Sequence, residues 1–165
     1  MTVSRKRKIG GVIFTTGVLI LMGIALTPAL LSVPQRNDGY GYGYGYCSPG
    51  TPGYWRNHPE AWPVDEITIG GVVYSKSDAI DLIFAPGRGD KTYSLFEHLV
   101  AARLNVMKGC DDTCVADTIT AADNWLIAHP LDSGIRGNSE WWKDPGQGED
   151  LKDILDDYNN GRLCY

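Results

Sequence analysis

Residues 90–108 read DKTYSLFEHLVAARLNVMK, and this stretch decides the fold. Its apolar side chains recur at helical spacing, and Phe96, Leu99, Val100 and Met107 share one face. An aspartate opens the stretch and a glycine follows it, which is typical of a helix with a cap and a stop. The pattern predicts a central, largely buried helix. Its narrower, more polar side would carry the following residues: Ser94, His98, Ala101 and Asn105.

Outward from this helix, local signals predict three more helices and one hairpin. A serine three residues before an aspartate indicates a capping box, and two adjacent glycines between short β-prone runs indicate a tight turn. The predicted elements are a hairpin at 66–69 and 72–75 around Gly70-Gly71, and helices at 75–84, 112–128 and 149–159. The predicted fold class is therefore mainly α: a small helical domain of about four helices with one short β-hairpin, preceded by an N-terminal transmembrane or signal helix.

The inward faces of two of these helices are also predicted from their periodicity. In the third helix the apolar residues recur every three to four positions, and the last helix repeats the pattern. The side chains expected inside are Val115, Ile119, Ala122, Leu126, Leu151, Ile154, Leu155 and Tyr158.

Charge is unevenly distributed along the 165 residues, whose formal net charge is −5. From residue 38 onward, 10 basic residues face all 20 acidic ones, which argues against a nucleic-acid partner. Three acidic pairs are candidates for weak calcium binding, or for helix N-terminal charges on a solvated surface. They are Asp111-Asp112, Glu149-Asp150 and Asp156-Asp157.

The N-terminus carries a membrane signal. A basic segment, 1–8, precedes the uncharged and mostly apolar run 9–33. Those 25 residues would reach roughly 38 Å as a helix, enough to cross a hydrocarbon core of about 30 Å. One-sided positive charge keeps 1–8 cytoplasmic and sends the following chain outside. Three interpretations stay open: an uncleaved anchor, a secretory signal cut after Ala29, and a pilin-type leader cut near Gly10 or Gly11.

A tether and a cysteine-bearing domain follow. Residues 34–46 end in four Gly-Tyr repeats, a composition that favours a flexible spacer. Residues 47–165 form the predicted disulfide-stabilised extracellular domain, which holds all four cysteines. They are Cys47, Cys110, Cys114 and Cys164.

An even number of cysteines in an exported domain predicts two disulfides, for which three pairings are open. The outer pair brackets the domain and the inner pair lies close together, so the sequence favours Cys47–Cys164 and Cys110–Cys114. A zinc site is disfavoured, because an oxidising compartment disfavours thiolate ligands and only two cysteines lie near each other. No metal or cofactor is predicted.

The stretch CSPGTPGYWRNHPEAWP at 47–63 resembles the opening of an uncharacterised domain of exported bacterial and archaeal proteins, which begins with Cys, then GYWKNHP and a nearby Trp-Pro. Arg56 stands where that domain usually has Lys. The resemblance continues through ITIGGVVY at 67–74, PGRGD at 86–90, and YNNG at 158–161 with the terminal cysteine. It implies export and a compact domain with a terminal Cys pair, and it implies no activity.

Histidines and nearby carboxylates are the candidate catalytic residues: His58, Glu60, Glu97, His98 and His129. His58 and Glu60 have the His-x-Glu outline of zinc deaminases, but no Pro-Cys-x-x-Cys follows. Nucleophile-elbow, phosphate-loop and His-Glu-x-x-His patterns are missing from the sequence as well. A secreted hydrolase or metal-dependent enzyme using His58, Glu60 and His98 is therefore an alternative hypothesis. A structural role for His58 in a proline-rich loop is the main one.

Aromatic residues outside the long helices are the binding candidates, because rings on loops give large contact area at small entropic cost. They are Tyr54, Trp55, Trp62, Trp141 and Trp142. For Tyr54, Trp55 and Trp62 the alternative is that their rings seal the core of the domain. Trp141 and Trp142 are expected to lie exposed, because the surrounding loop is polar.

Together these patterns predict a cell-surface or secreted structural or interaction module rather than an enzyme. Its expected contacts are the membrane, through 9–33, and an envelope glycan or surface protein outside. A pilin-like filament subunit is the third hypothesis.

Overall fold

The structure is a computed structural model, which describes residues 47–164. Its elements are α1 (Pro52–Asn57), a 3-10 turn (Pro59–Ala61), β1 (Glu66–Ile69), β2 (Val72–Ser75), α2 (Lys76–Leu82), α3 (Thr92–Met107), α4 (Ala116–Ala128), α5 (Glu140–Lys143) and α6 (Gly148–Asn159). The mainly helical class with one hairpin is confirmed. The predicted segments 1–8, 9–33 and 34–46 lie outside the described residues. Within the described part, no helix combines the length and apolar character that crossing a membrane requires.

The hairpin has the predicted bounds. β1 and β2 pair antiparallel, with Ile69 opposite Val72, and both turn glycines have positive φ (57° and 74°). A two-residue turn of this kind matches the twist of its strands and suits glycine. The turn also packs on α4: the Gly70 N–H donates to Asp123 Oδ1 at 2.8 Å, and a Cβ on Gly70 would lie 2.9 Å from Leu126 Cβ.

Helix α3 is the centre of the core, as its sequence predicts. It packs against α1, α4 and α6, and Phe96, Leu99 and Val100 are fully buried. Two expectations for this helix are wrong. Met107, the last residue of the helix, is 46 % exposed, and Ala101 and Asn105 on the predicted polar side are completely buried.

A buried amide network explains why Asn105 lies inside. Its Oδ1 accepts hydrogen bonds from the Gly50 N–H at 2.6 Å and from Trp55 Nε1 at 3.1 Å. Its Nδ2 donates to the Gly50 carbonyl and to Asn159 Oδ1, both at 2.9 Å. Asn159 donates in turn to the His98 carbonyl at 2.9 Å. This Asn105 network joins the opening loop, α3 and α6, and every polar atom of the Asn105 amide has a partner.

The helix ends show which local signals acted as predicted. Ser75 Oγ accepts from the Asp78 N–H at 3.1 Å and donates to Asp78 Oδ2 at 2.7 Å, which is the expected capping pair. The helix ends at Leu82 rather than Phe84, whose φ of 62° is incompatible with continuation. In α6 the expected inward residues are buried, except that Ile154 is 38 % exposed.

Cysteine pairing is the main correction. Cys47 is bonded to Cys110 and Cys114 to Cys164, with Cα–Cα distances of 5.1 Å and 5.6 Å, so the expected Cys47–Cys164 and Cys110–Cys114 pairs are wrong. The cause is long-range packing. The Asn105 network holds the loop after Cys47 against the end of α3, where the Cys110 N–H donates to the Asn105 carbonyl at 3.0 Å.

Candidate functional site

His58 and Glu60 lie together on the surface. His58 ends α1, its Nδ1 is 3.0 Å from Glu60 Oε1, and its ring lies 4.6 Å from the ring of Tyr54. The two side chains are 48 % and 71 % exposed. A hydrogen bond to its own backbone, and then the one from His58, hold the pKa of Glu60 below its usual value. His58 and Glu60 make a local contact between residues two positions apart, and neither lines either of the two cavities described below.

His98 lies elsewhere, on α3 against α6. Its Nδ1 is 3.7 Å from Asp156 Oδ1 and its Nε2 is 3.9 Å from Glu97 Oε1, both beyond hydrogen-bond length. Burial, opposed in part by Asp156, lowers the pKa of His98 to about 4, so the ring is neutral at pH 7. Among residues 47–164, no hydrogen bond or ion pair connects His98 to His58 or Glu60.

The remaining candidate groups serve neighbouring elements. Glu97 Oε2 accepts from the Phe84 N–H at 3.3 Å, and burial raises the pKa of this carboxyl. His129 lies between two tryptophan rings, 4.6 Å from Trp125 and 5.1 Å from Trp141. In the described part of the chain, no three His, Cys, Asp or Glu side chains are arranged to hold a metal ion.

The opening aromatics belong to the core. Trp55 is fully buried and Trp62 is 7 % exposed, and Trp62 Nε1 donates to the Trp55 carbonyl at 2.8 Å. Tyr54 is half-buried against the edge of Trp55, with ring centroids 5.2 Å apart. These rings therefore seal the opening loop onto α3, which is the alternative that the sequence left open for them.

The tryptophan pair is divided between surface and interior. Trp141 is 49 % exposed, whereas Trp142 is 2 % exposed and meets Trp125 edge to face. The pair forms a short helix, α5, in which adjacent residues point to different sides. The expected exposure is therefore wrong for Trp142, which packs against Trp125, and only Trp141 of this pair has a half-exposed ring.

Each acidic pair has an internal partner for at least one carboxylate. Asp111 Oδ1 accepts from the Thr113 N–H at 2.9 Å, and this bond lowers the pKa of Asp111. Lys143 contacts Glu149 at 2.7 Å. Arg162 contacts both members of the third pair, Asp156 at 2.9 Å and Asp157 at 2.6 Å. In each acidic pair, at least one carboxylate is therefore stabilised by a neighbouring group of the domain itself.

The larger of the two cavities lies at the disulfides and has a volume of about 860 Å³. Both disulfides, the Gly109 turn and the end of α6 line it. Tyr158 is 1 % exposed, its hydroxyl has no hydrogen-bond partner among residues 47–164, and burial raises its pKa to about 12. The hydroxyl is closed off from solvent, and none of the lining side chains is cationic.

The second cavity, which we call the arginine cavity, has a volume of about 490 Å³ and lies between two loops. Arg88 comes from the loop before α3 and Arg136 from the loop after α4, and Arg136 Nη1 donates to the Arg88 carbonyl at 2.6 Å. Asp90, Tyr93 and Asp132 complete its polar wall, in which the Tyr93 hydroxyl donates to Asp132 Oδ1 at 2.9 Å. That bond raises the pKa of Tyr93.

Sequence reasoning did not identify Arg88 and Arg136 as site residues. They are 48 residues apart, and only folding brings their loops together. The one signal was the PGRGD stretch at 86–90, where two glycines flank an arginine. Arg88 has a φ of 50° and Gly89 a φ of 86°, so this turn is held in the left-handed region.

Comparison with known proteins adds no assignment. A scan against protein-family models, a search of curated proteins and a search of solved structures each returned no match.

Proposed function

We propose that this chain is an exported recognition module. In this proposal 9–33 carries it into or across the membrane, 34–46 serves as a tether, and 47–164 binds a partner outside rather than catalysing a reaction. The observation that carries the proposal is the pairing of all four cysteines in two disulfides, which fits an extracellular or secreted location.

The absence of an assembled catalytic group among the described residues supports recognition over hydrolysis. His58 and His98 have separate partners, and the neutral, buried His98 contacts helix α6 instead of a cavity. A general base must lie within hydrogen-bond reach of the group it serves. The hydrolase alternative therefore has no observation that favours it.

Fractionation of cells that produce the full chain with a C-terminal tag tests the proposal. We expect the protein in the membrane or the exported fraction, with all four cysteines resistant to alkylation until a reductant is added. The Leu19→Arg, Leu21→Arg double variant places two charges in the apolar run and should stay in the cytosol with reactive thiols. Leu19→Ile is the matched control and should behave like the parent.

The parent chain in the cytosol with free thiols would refute the proposal. N-terminal sequencing of the exported form then distinguishes its three versions. A start near residue 30 indicates a cleaved signal, a start at residue 1 or 2 indicates an anchor, and a start near residue 11 or 12 indicates a pilin-like subunit.

A further inference from the structure

We infer that the arginine cavity binds the carboxylate of an acidic sugar in an envelope polysaccharide. This inference rests on the proposed function, since it requires that the domain faces outside. Its ligand class follows from the composition of the cavity lining, which holds two arginines without an ion-pair partner among residues 47–164, the Tyr93 hydroxyl, and two aspartates, of which Asp90 is buried and uses both carboxylate oxygens in hydrogen bonds to the loops.

Most basic side chains of the domain already have a partner. Five of the ten in the described residues form ion pairs with carboxylates, and three more lie over aromatic rings. The ion-paired ones are Lys76, Arg103, Lys143, Lys152 and Arg162. The ring-stacked ones are Arg56, Lys91 and Lys108.

The two that remain among the described residues are Arg88 and Arg136, and both line the same cavity. Neither has a carboxylate of residues 47–164 within ion-pair distance, although acidic residues outnumber basic ones about two to one from residue 38 onward. Guanidinium groups match carboxylates with two parallel hydrogen bonds, so this pair is suited to an external anion.

The two loops that carry Arg88 and Arg136 are held together by internal hydrogen bonds. Asp90 is buried and joins the loops: one oxygen accepts from the Thr92 N–H and hydroxyl at 3.0 Å, and the other accepts from the Gly134 N–H at 2.8 Å. The Lys91 N–H also donates to the Ile135 carbonyl at 2.8 Å. A site held in place loses less freedom on binding, which favours affinity.

The backbone at Gly89 favours glycine, because its φ of 86° lies in the left-handed region. A Cβ there would also lie 2.8 Å from Arg136 Nη1, the far end of a flexible side chain that could shift aside. The glycine therefore serves the turn that carries Arg88, and it also leaves room for Arg136 beside that turn.

The groups beside the two arginines suit an acidic sugar better than a phosphate. Asp132 lines the same cavity and keeps one carboxylate oxygen beyond the one that binds Tyr93, so it repels a dianion but accepts a hydrogen bond from a sugar hydroxyl. The Tyr93 ring offers an apolar surface for a sugar face. The volume lies within the range of about 300–1,000 Å³ that is typical of small-ligand sites.

Calorimetric titration of the full-length protein in detergent micelles with trigalacturonate tests the inference. We expect binding that weakens with added salt, and no binding of the fully methyl-esterified trisaccharide or of inorganic phosphate. Arg88→Gln should weaken trigalacturonate binding at least about tenfold, since it removes a charged hydrogen-bond donor. Arg56→Gln, outside the cavity, is the matched control and should leave binding unchanged.

Arg136→Lys keeps the positive charge but loses the paired N–H donors of the guanidinium group. It should weaken trigalacturonate binding while the protein stays folded, as monitored by thermal unfolding. Equal binding of the methyl ester, binding of phosphate alone, full binding by Arg88→Gln, or no binding of trigalacturonate would each overturn the inference. Its failure is separable from that of the proposed function. If the protein is exported with its disulfides formed but does not bind trigalacturonate, only the ligand assignment is refuted. If the protein stays in the cytosol with reduced cysteines, export is refuted.

Discussion

The cross-linked region and the arginine cavity use polar groups in opposite ways. The cross-linked region comprises 47–50, 109–115 and 158–164, which the two disulfides and the Asn105 network join. There the amide groups of the network bind one another and are buried. At the arginine cavity two exposed arginines form no ion pair within residues 47–164, although Asp90 and Asp132 line the same cavity. The difference indicates that the polar groups of the first region maintain the fold, whereas the two guanidinium groups of the second are not used in ion pairs within the described domain.

Removing cross-links should have the largest effect on stability. The bonded cysteines are separated by 63 and 50 residues, so replacing either bonded pair with serine should lower the free energy of unfolding by about 4 kcal/mol in the chain-entropy model. The control is the Cys47→Ser, Cys164→Ser variant, which breaks both disulfides and should lose roughly twice as much. Urea unfolding measures all three variants. A Cys47→Ser, Cys164→Ser protein as stable as a single-disulfide variant would contradict the pairing.

Asn105→Ala should have the next largest effect. It leaves the Gly50 N–H and carbonyl, the Trp55 indole N–H and the side-chain Oδ1 of Asn159 without their partner, at a cost of about 3 kcal/mol in the free energy of unfolding. Asn124→Ala, on the exposed side of α4, serves as the control and should cost less than about 1 kcal/mol. Equal effects of the two variants would show that the network does not hold the cross-linked region.

His98 should make stability depend on pH. Its pKa is about 4 when folded and about 6.5 in an unfolded chain, so the unfolded state takes up the proton first as pH falls. Stability should drop by roughly 2–3 kcal/mol between pH 7 and pH 4.5 from this ring alone. Nearby Asp156 and Asp153 oppose the shift and Lys152 adds to it.

The His98→Asn variant isolates that contribution, because the raised pKa of the adjacent Glu97 acts in the opposite direction and is present in both proteins. Urea unfolding at the two pH values should give a smaller pH dependence in the variant than in the parent. The same pH dependence in both proteins would show that His98 is accessible to protons in the folded state.

Arg88→Gln should have the smallest effect on stability, within about 0.5 kcal/mol, because the exposed side chain of Arg88 makes no ion pair with residues 47–164. Arg103→Gln is the comparison: Arg103 Nη2 lies 3.1 Å from Asp123 Oδ2 between α3 and α4, and its loss should cost about 1–2 kcal/mol. Thermal unfolding of both variants measures the difference. A strongly destabilised Arg88→Gln would assign this arginine to the fold rather than to a partner.

The elements that the sequence predicts are those with local signals. The Gly70-Gly71 turn, the Ser75 cap and the periodicity of α3, α4 and α6 lie within one element each, and the structure confirms them within a few residues. The cysteine pairing depends instead on contacts between distant segments, among them the bond from Gly50 to Asn105.

The candidate site shows the same limit. Residue type alone selected histidines and aromatic residues, whereas the arginine cavity depends on two loops that meet only in the folded chain. The burial of Trp142 beside the exposed Trp141 could not be predicted from the sequence either, because it depends on packing against the distant Trp125. Local patterns predict elements, and tertiary contacts decide which side chains remain available.

Peptide mapping of the exported protein under non-reducing conditions tests the central claim most directly. Cleavage before aspartate separates Cys110 from Cys114, which trypsin cannot do because no lysine or arginine lies between them. The account predicts that peptide 38–64 is linked to 90–110, and that 112–116 is linked to 157–165. A link between 90–110 and 112–116, or free thiols in all four peptides, would contradict it.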